Sequence, residues 1–491
     1  MGAESGTESG TEMSTTMSTA MAPLMRRVRL GAGAAILLLL GACSSFPRIV
    51  PDMARSARAP QVEGARGPLS AARSKAILDN LGGAAGPTDV LTRHLALEQA
   101  MSDSPLLAGN KVELLIDGPS TYRAMFAAID AARDHINMET YILEDDEVGK
   151  RFAAALIAKQ QQGVQVNLIH DGVGTLATPA EFFTRLADAG VKVLEFNPVN
   201  PLTAKAGWDV NQRDHRKLLI VDGKTAFLGG INISSVYSSG SFSRGSNSRP
   251  GGPGSSASRP AGPGWRDTDL QIDGPVVAEF QKLFLETWAG QQGEPLPARS
   301  YFPTLAPQGK EVVHAIGSSP DDPYSLIYAT LISALDAAQR EVLLTNAYFV
   351  PDPQLRTALK AAVARGVDVK LVLPARTDSA LVFHAGRSYY DELLSAGVRL
   401  FERRDVVLHA KTALIDGVWS TVGSTNLDWR SFLHNQELNA VVLGAEFGQR
   451  MRASFDADLA QSDEVTLAQW QQRSVGLRVK EMFARLWQYW L

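Results

Sequence analysis

HRKLLIVDGKTAFLGGIN, from His215 to Asn232, decides how this 491-residue chain is read, because a second copy stands at His409 to Asn426: HAKTALIDGVWSTVGSTN. The polar positions coincide. His215, Lys217 and Asp222 match His409, Lys411 and Asp416, and Gly223, Gly229 and Asn232 match Gly417, Gly423 and Asn426. The shared pattern is H-x-K-x4-D, followed at fixed distances by Gly and Asn. A strand that only packs would read as an apolar run between turn residues. Here a base, a cation and an acid frame the apolar run twice.

Residues i and i+2 of a strand share a face, so His215 projects with Lys217 and His409 with Lys411. If two similar halves pack about a pseudo-twofold axis, both pairs converge on one pocket. Two lysines (Lys217, Lys411) and two asparagines (Asn232, Asn426) then supply charge and donors for a phosphate. One imidazole attacks phosphorus and the other protonates the leaving oxygen, roles that suit a side chain titrating near neutrality. The lysines do the electrostatic job, so the expectation is no metal and no cofactor. Each ring also needs an acid to fix its tautomer. Glu437 follows His409 by 28 residues, and Asp269 takes the corresponding place in the first half once the insertion before it is removed. Asp222 and Asp416 belong to the motif and count among its catalytic candidates, although their place at the strand end suits bracing the turn.

The repeat extends outward. AIDAARDHINMETYIL (128–143) is echoed by ALDAAQREVLLTNAYF (334–349), GVQVNLIHD (163–171) by GVDVKLVLPAR (366–376), and LADAGVKVLEF (186–196) by LLSAGVRLFER (393–403). A sustained repeat means two similar units. Within each, strand and helix patterns alternate, which predicts an α/β fold with a mixed, largely parallel sheet covered by helices. The expected organisation is an N-terminal extension and signal at 1–43, a tether with helical lead-in at 44–107, lobe 1 at 108–300 and lobe 2 at 301–491. Residues 238–264, nearly all Ser, Gly, Pro and Arg, cannot bury apolar area and read as a disordered insertion in lobe 1.

The net charge of −4 leaves no basic footprint, so no nucleic-acid partner is expected. The single cysteine, Cys43, can form neither an internal disulfide nor a Cys-based zinc site. It ends MRRVRLGAGAAILLLLGAC: Arg26, Arg27 and Arg29, then a short apolar run, then small residues. That run is shorter than the roughly 20 residues of a membrane span and fits a secretory signal. The start site reads as Met21 or Met25. RVKEMFARLWQYWL at the C-terminus mixes apolar and basic residues. It reads either as an interfacial helix or as a helix packed on the core. The remaining histidines (His94, His135, His170, His314, His384 and His434) lack the motif context and read as surface or packing residues. GGAAGP at 82–87 lacks the strand and helix of a phosphate loop, and GSTN is not a G-x-S-x-G elbow.

The doubled motif, together with GGINIS, WRDTDLQIDGP and GSTNLDWRSFLHNQELN, resembles the phospholipase D superfamily, in its bacterial cardiolipin synthase-like branch. The resemblance covers about residues 108–491. It implies two phospholipase D-like α/β/α sandwich lobes with a shared active site at their interface. It also implies a phosphohistidine intermediate resolved by an alcohol or by water, and phospholipid substrates in a membrane. Carried over, His215, Lys217, Asn232, His409, Lys411 and Asn426 are the site, with Asp269 and Glu437 orienting and His215 taken as the nucleophile. The N-terminal pattern resembles a bacterial lipoprotein signal. Cys43 would be lipidated, and Ser44 after it implies periplasmic anchoring at the outer membrane. Three functions follow as expectations: phosphatidyl transfer forming cardiolipin, with phosphatidylglycerol as acceptor and phosphatidylglycerol or phosphatidylethanolamine as donor; hydrolysis of phospholipids or other phosphodiesters; or lipid binding without turnover.

Overall fold

Twice in the chain, strand–helix units lead into an antiparallel hairpin that carries the motif. The computed structural model describes residues 59–83, 86, 88–200, 202, 208–238 and 264–491. Cys43 with its signal-like run, and residues 239–263 of the insertion, lie outside the described residues.

In lobe 1, the strands His135–Thr140, Gln165–Asp171 and Lys192–Phe196 pair in parallel. Lys217–Val221 then joins His135–Thr140 antiparallel, and Thr225–Gly229, Asp269–Asp273 and Leu106–Leu115 follow it, all antiparallel. Lobe 2 repeats the order. Glu341–Asn346, Asp368–Pro374 and Arg399–Arg403 are parallel. Lys411–Ile415, Trp419–Gly423, Asn435–Leu443 and Glu311–Ser318 continue antiparallel. Each lobe is therefore a mixed α/β sheet, parallel across its three helix-connected strands and antiparallel from the motif strand onward.

The two sheets meet on one strand. Leu106–Leu115 pairs with Asp269–Asp273 through residues 111–115 and with Glu311–Val313 through residues 107–110. Alternation along Lys217–Val221 shows how the layers form. Leu218 and Ile220 enter a central core shared by both lobes, which also holds Phe280, Phe284 and Phe447. Leu219 and Val221 enter the outer core of lobe 1 with Ile136, Val166 and Phe152. The central helices are Val277–Gly290 and Ala445–Leu459.

Three of the outer helices start at aspartate caps. Asp117 accepts from Ser120 N, Asp146 from Gly149 N, and Asp352 from Gln354 and Leu355 N. The lead-in expected at 44–107 is helical at Ala71–Leu81 and Leu95–Met101. Over its described part it is built into lobe 2 rather than hanging free. Val62, Val90, Leu91 and Leu95 belong to the outer core of lobe 2. His94 and His314 both meet the buried carboxylate of Glu98, the first at 2.8 Å.

Candidate active site

Lys217 pairs with Thr140 and Lys411 with Asn346, so both motifs begin at the C-terminal ends of the parallel strands. The residue just before each motif strand is fixed by the other lobe. Arg213–Asp214 runs parallel to Asn435–Gln436, and His215 N–H donates to Gln436 O at 3.0 Å. Val407–Leu408 runs parallel to Trp265–Arg266, and His409 N–H donates to Arg266 O at 2.7 Å.

The next residue along the partner strand takes the ring. Nδ1 of His215 lies 3.1 Å from both carboxylate oxygens of Glu437. Nδ1 of His409 lies 2.7 Å from Oδ2 of Asp267. The expected pairing within each half is thus corrected twice. The acids are crossed between lobes, and the acid in lobe 1 is Asp267. Asp269 accepts from Ile231 N at 3.1 Å instead of meeting a ring. The strand register gives the reason. Gly229 faces Asp269, and its counterpart Gly423 faces Asn439, so the counterpart of Glu437 lies two residues before Asp269. Gly230 makes room for the shorter acid, since a Cβ there would stand 2.2 Å from Asp267 Oδ1. Lobe 2 has Ser424 instead, whose hydroxyl donates to Glu437 Oε2 at 2.5 Å.

The lysines fold back on their own motifs. Lys217 Nζ donates to His215 O at 2.5 Å and sits 5.0 Å from the centre of the Tyr141 ring. Lys411 Nζ donates to His409 O and lies 2.9 Å from His409 Nδ1. All four motif side chains are nearly closed to solvent, from 2% exposure at Lys411 to 7% at His215. Each histidine feels the lysine of the opposite lobe as well as its own, which puts the two pairs in one site.

Burial is the largest influence on all four, and it disfavours charge. It and Lys217 bring His215 down to about 4, against the opposing pull of Glu437. His409 is lowered by burial and by Lys411. Lys217 falls to about 7 and Lys411 to about 8, held up by Glu437 and Asp267. Burial pushes Glu437 up, but His215 and Lys217 outweigh it and bring the carboxyl to about 2. The arrangement at neutral pH is neutral imidazoles, each donating Nδ1–H to a carboxylate and leaving Nε2 with a lone pair.

The other motif residues divide. Asp222 and Asp416, read as catalytic candidates, stand at the far end of their strands, roughly 20 Å from the histidines at about 3.3 Å per residue. Asp222 accepts the backbone N–H groups of Arg133, Asp134 and His135, and Asp416 those of Gln339, Arg340 and Glu341. They brace the turn. Asn232 is engaged on both sides of its amide, with Oδ1 on Ile142 N and Nδ2 on the Tyr237 hydroxyl. Oδ1 of Asn426 is buried with no hydrogen-bond partner.

Several aromatic residues at the site went unread in the sequence. The Tyr237 hydroxyl lies 3.2 Å from His409 Nδ1, and Trp265 packs 5.0 Å from the His409 ring. Tyr141 meets His215 edge-on at 5.0 Å. Tyr237 and Trp265 bracket the Ser/Gly/Pro insertion, and an aromatic on each side of a polar run is the signal that marks them.

A family model described as cardiolipin synthase, PLD-like domain, matches residues 125–240 and 331–459. The chain is 33% identical over 398 residues to a cardiolipin synthase of Geobacillus sp. (strain WCH70), covering 80% of this chain and 74% of that one. It is 37% identical over 368 residues to cardiolipin synthase A of Pseudomonas putida (strain W619), covering 74% and 71%. In fold it is similar to the phosphatidylserine synthase of Haemophilus influenzae Rd KW20, with a TM-score of 0.59 at 13% identity over 81% of this chain and 100% of that one. With the doubled motif, the crossed acids and these similarities together, the chain belongs to the cardiolipin synthase family of phospholipase D-like enzymes.

Proposed function

We propose that the protein moves a phosphatidyl group between phospholipid alcohols through His215, forming cardiolipin. Nε2 of His215 attacks the phosphorus of phosphatidylglycerol or phosphatidylethanolamine. The negative charge of the bound phosphodiester favours the imidazolium of His409, which takes up a proton from solvent on Nε2 as substrate binds; the P–O bond to the headgroup then breaks, and His409 gives that proton to the departing oxygen. A terminal hydroxyl of a second phosphatidylglycerol then attacks the phosphohistidine while His409 takes its proton back. Cardiolipin leaves and His215 is restored.

The observation that carries this reading is the crossed set of acids. Each Nδ1 is tied to a buried carboxylate, which points the tautomer of both rings the same way. Lys217 and Lys411 stabilise charge on the equatorial oxygens, and Asn426 offers a further donor. Asn232, held by Tyr237 and Ile142, supports the His409 side. Nothing basic in the overall charge favours a nucleic-acid substrate.

The test is product analysis with labelled phosphatidylglycerol. Cardiolipin plus glycerol is expected. Phosphatidic acid alone would assign water as the acceptor, and no turnover would leave only lipid binding. His215→Ala and His409→Ala are each expected to abolish turnover, and quenching in alkaline detergent, which spares the acid-labile P–N bond, is expected to trap label on the peptide carrying residue 215.

Cys43 is proposed as the lipidated residue, anchoring the enzyme on the periplasmic side of the outer membrane. The support is the arginine-flanked apolar run and the Leu40–Cys43 ending. Incorporation of labelled fatty acid that persists in Cys43→Ser would overturn it.

A further inference from the structure

Large apolar side chains left exposed are informative when they cluster. Among the described residues they do. Val173 and Leu176 follow the strand Gln165–Asp171, and Val199 and Val210 follow Lys192–Phe196. These loops leave the C-terminal ends of the parallel strands, the end that carries His215. Leu381 occupies the equivalent place in lobe 2, on the helix Ala380–Arg387 that follows Asp368–Pro374.

The helix Val475–Arg485 packs beside Ala380–Arg387. Only Glu481 and Ala484 of this helix are buried. Val475, Val479, Met482, Phe483 and Leu486 share one face by spacing, and their exposure runs from 52% to 75%. Trp487 and Trp490 continue the surface, 48% and 57% exposed. A helix that uses this face for its own core would bury it.

The exposed charges carried by the helix itself have one sign, with Asp391 of the neighbouring helix the acid beside them. Arg478, Lys480 and Arg485 are exposed on the helix, while its one acid, Glu481, is buried on Arg473 at 2.7 Å. The surface is also tied to the active site. Trp490 stacks on His434 with ring centres 6.5 Å apart, and His434 O accepts Arg213 N–H two residues before His215. Arg430 N–H, four residues beyond Asn426, donates to Leu491 O at 2.9 Å.

We propose that the C-terminal segment 475–490, continuous with the apolar loops at the cleft end of the sheets, is a docking surface for an anionic lipid bilayer. Its apolar face enters the headgroup–acyl boundary, its tryptophans sit at headgroup level, and Arg478, Lys480 and Arg485 meet lipid phosphates. This deepens the phosphatidyl-transfer reading by stating how the cleft meets its substrate, and the test separates the two. Both the helix-packed and interfacial readings of the sequence then hold, on opposite faces of one helix.

The experiment is tryptophan fluorescence of the full chain with vesicles carrying a bromine-labelled acyl chain, either of phosphatidylcholine alone or with added phosphatidylglycerol. Quenching is expected with the phosphatidylglycerol vesicles, and it falls sharply in Trp487→Phe/Trp490→Phe. Arg478→Gln/Lys480→Gln should need about thirtyfold more lipid for half-quenching, from about 1 kcal/mol per basic residue near an anionic surface. Turnover of dispersed short-chain phosphatidylglycerol should stay unchanged in both variants. Quenching that is equal with and without residues 487 and 490 as tryptophan overturns the proposal, as does equal affinity for neutral and anionic vesicles. Docking without any phosphatidyl transfer would sink the reaction proposed above and leave the surface standing.

Discussion

Asp267 of the first lobe holds His409 of the second, with Oδ2 2.7 Å from Nδ1, while the nearby Asp269 accepts from backbone instead. The two acids are two residues apart on the same stretch, yet their variants should differ widely. Asp267→Asn removes the acceptor that fixes the His409 tautomer and should lower kcat by about two to four orders of magnitude. Asp269→Asn should leave kcat within about tenfold, because the amide keeps the oxygen that accepts from Ile231 N, and burial and Asp267 push the carboxyl up, so little charge interaction is lost. Steady-state turnover of both variants decides it, and equal losses would contradict the assignment.

The buried lysines set the alkaline limit. A cation whose pKa is lowered is charged below that value and loses its charge as pH rises through it. Lys217 at about 7 and Lys411 at about 8 therefore predict that kcat/KM falls as pH climbs through that range. Because the two interact, the limb should appear as apparent values of the pair. On the acid side, His215 at about 4 keeps the nucleophile neutral until pH drops near that value. A kcat/KM profile flat from pH 7 to 10 would remove the lysines from the reaction.

With Lys217 and Lys411 proposed to meet the charge on the phosphate, chelator should leave turnover unchanged and added zinc or calcium should not raise it. Activity that vanishes with chelator and returns with one of these ions would refute that.

Asp222 and Asp416 should behave as structural residues. Each collects three backbone N–H groups at the start of a central strand, from a turn where Asp222 has φ 54° and Gly223 φ 63°. Asp222→Ala leaves those donors without their acceptor and should cost about 3 kcal/mol of stability. The fraction that folds should keep its turnover per molecule. A thermal melt alongside active-site titration checks both parts.

The sequence reached the lobes and the pocket because both rest on local periodicity. His215–Lys217 and His409–Lys411 were placed by strand spacing, and the repeat supplied the second lobe. It missed the crossing of Glu437 to His215 and Asp267 to His409 because nothing local records which lobe a strand end pairs with. That is decided by the pairing of Arg213–Asp214 with Asn435–Gln436 and of Trp265–Arg266 with Val407–Leu408, over separations of 222 and 142 residues. The two-residue error at Asp269 came from measuring across an insertion. Counting onward from the matched glycines, Gly229 and Gly423, in strand register recovers Asp267.

A second buried acid beside the site gives a different kind of prediction. Asp214, next to His215, is fully buried near Glu139, with Arg216 as the nearby cation. Burial first, then Glu139, pushes its carboxyl well above the ordinary 3.8, so the folded protein holds a proton that the unfolded chain releases. Folding stability that is full below the unfolded value is then lost as pH rises toward the folded one. Asp214→Asn keeps an oxygen for the Arg216 N–H and adds an amide that can donate to Glu139, a buried carboxylate whose nearest cation, Arg216, stands off at 3.8 Å. It should raise the melting temperature at pH 8 and change it less at pH 5. A variant less stable at pH 8 than the parent would show that the pair is held ionised by Arg216 instead.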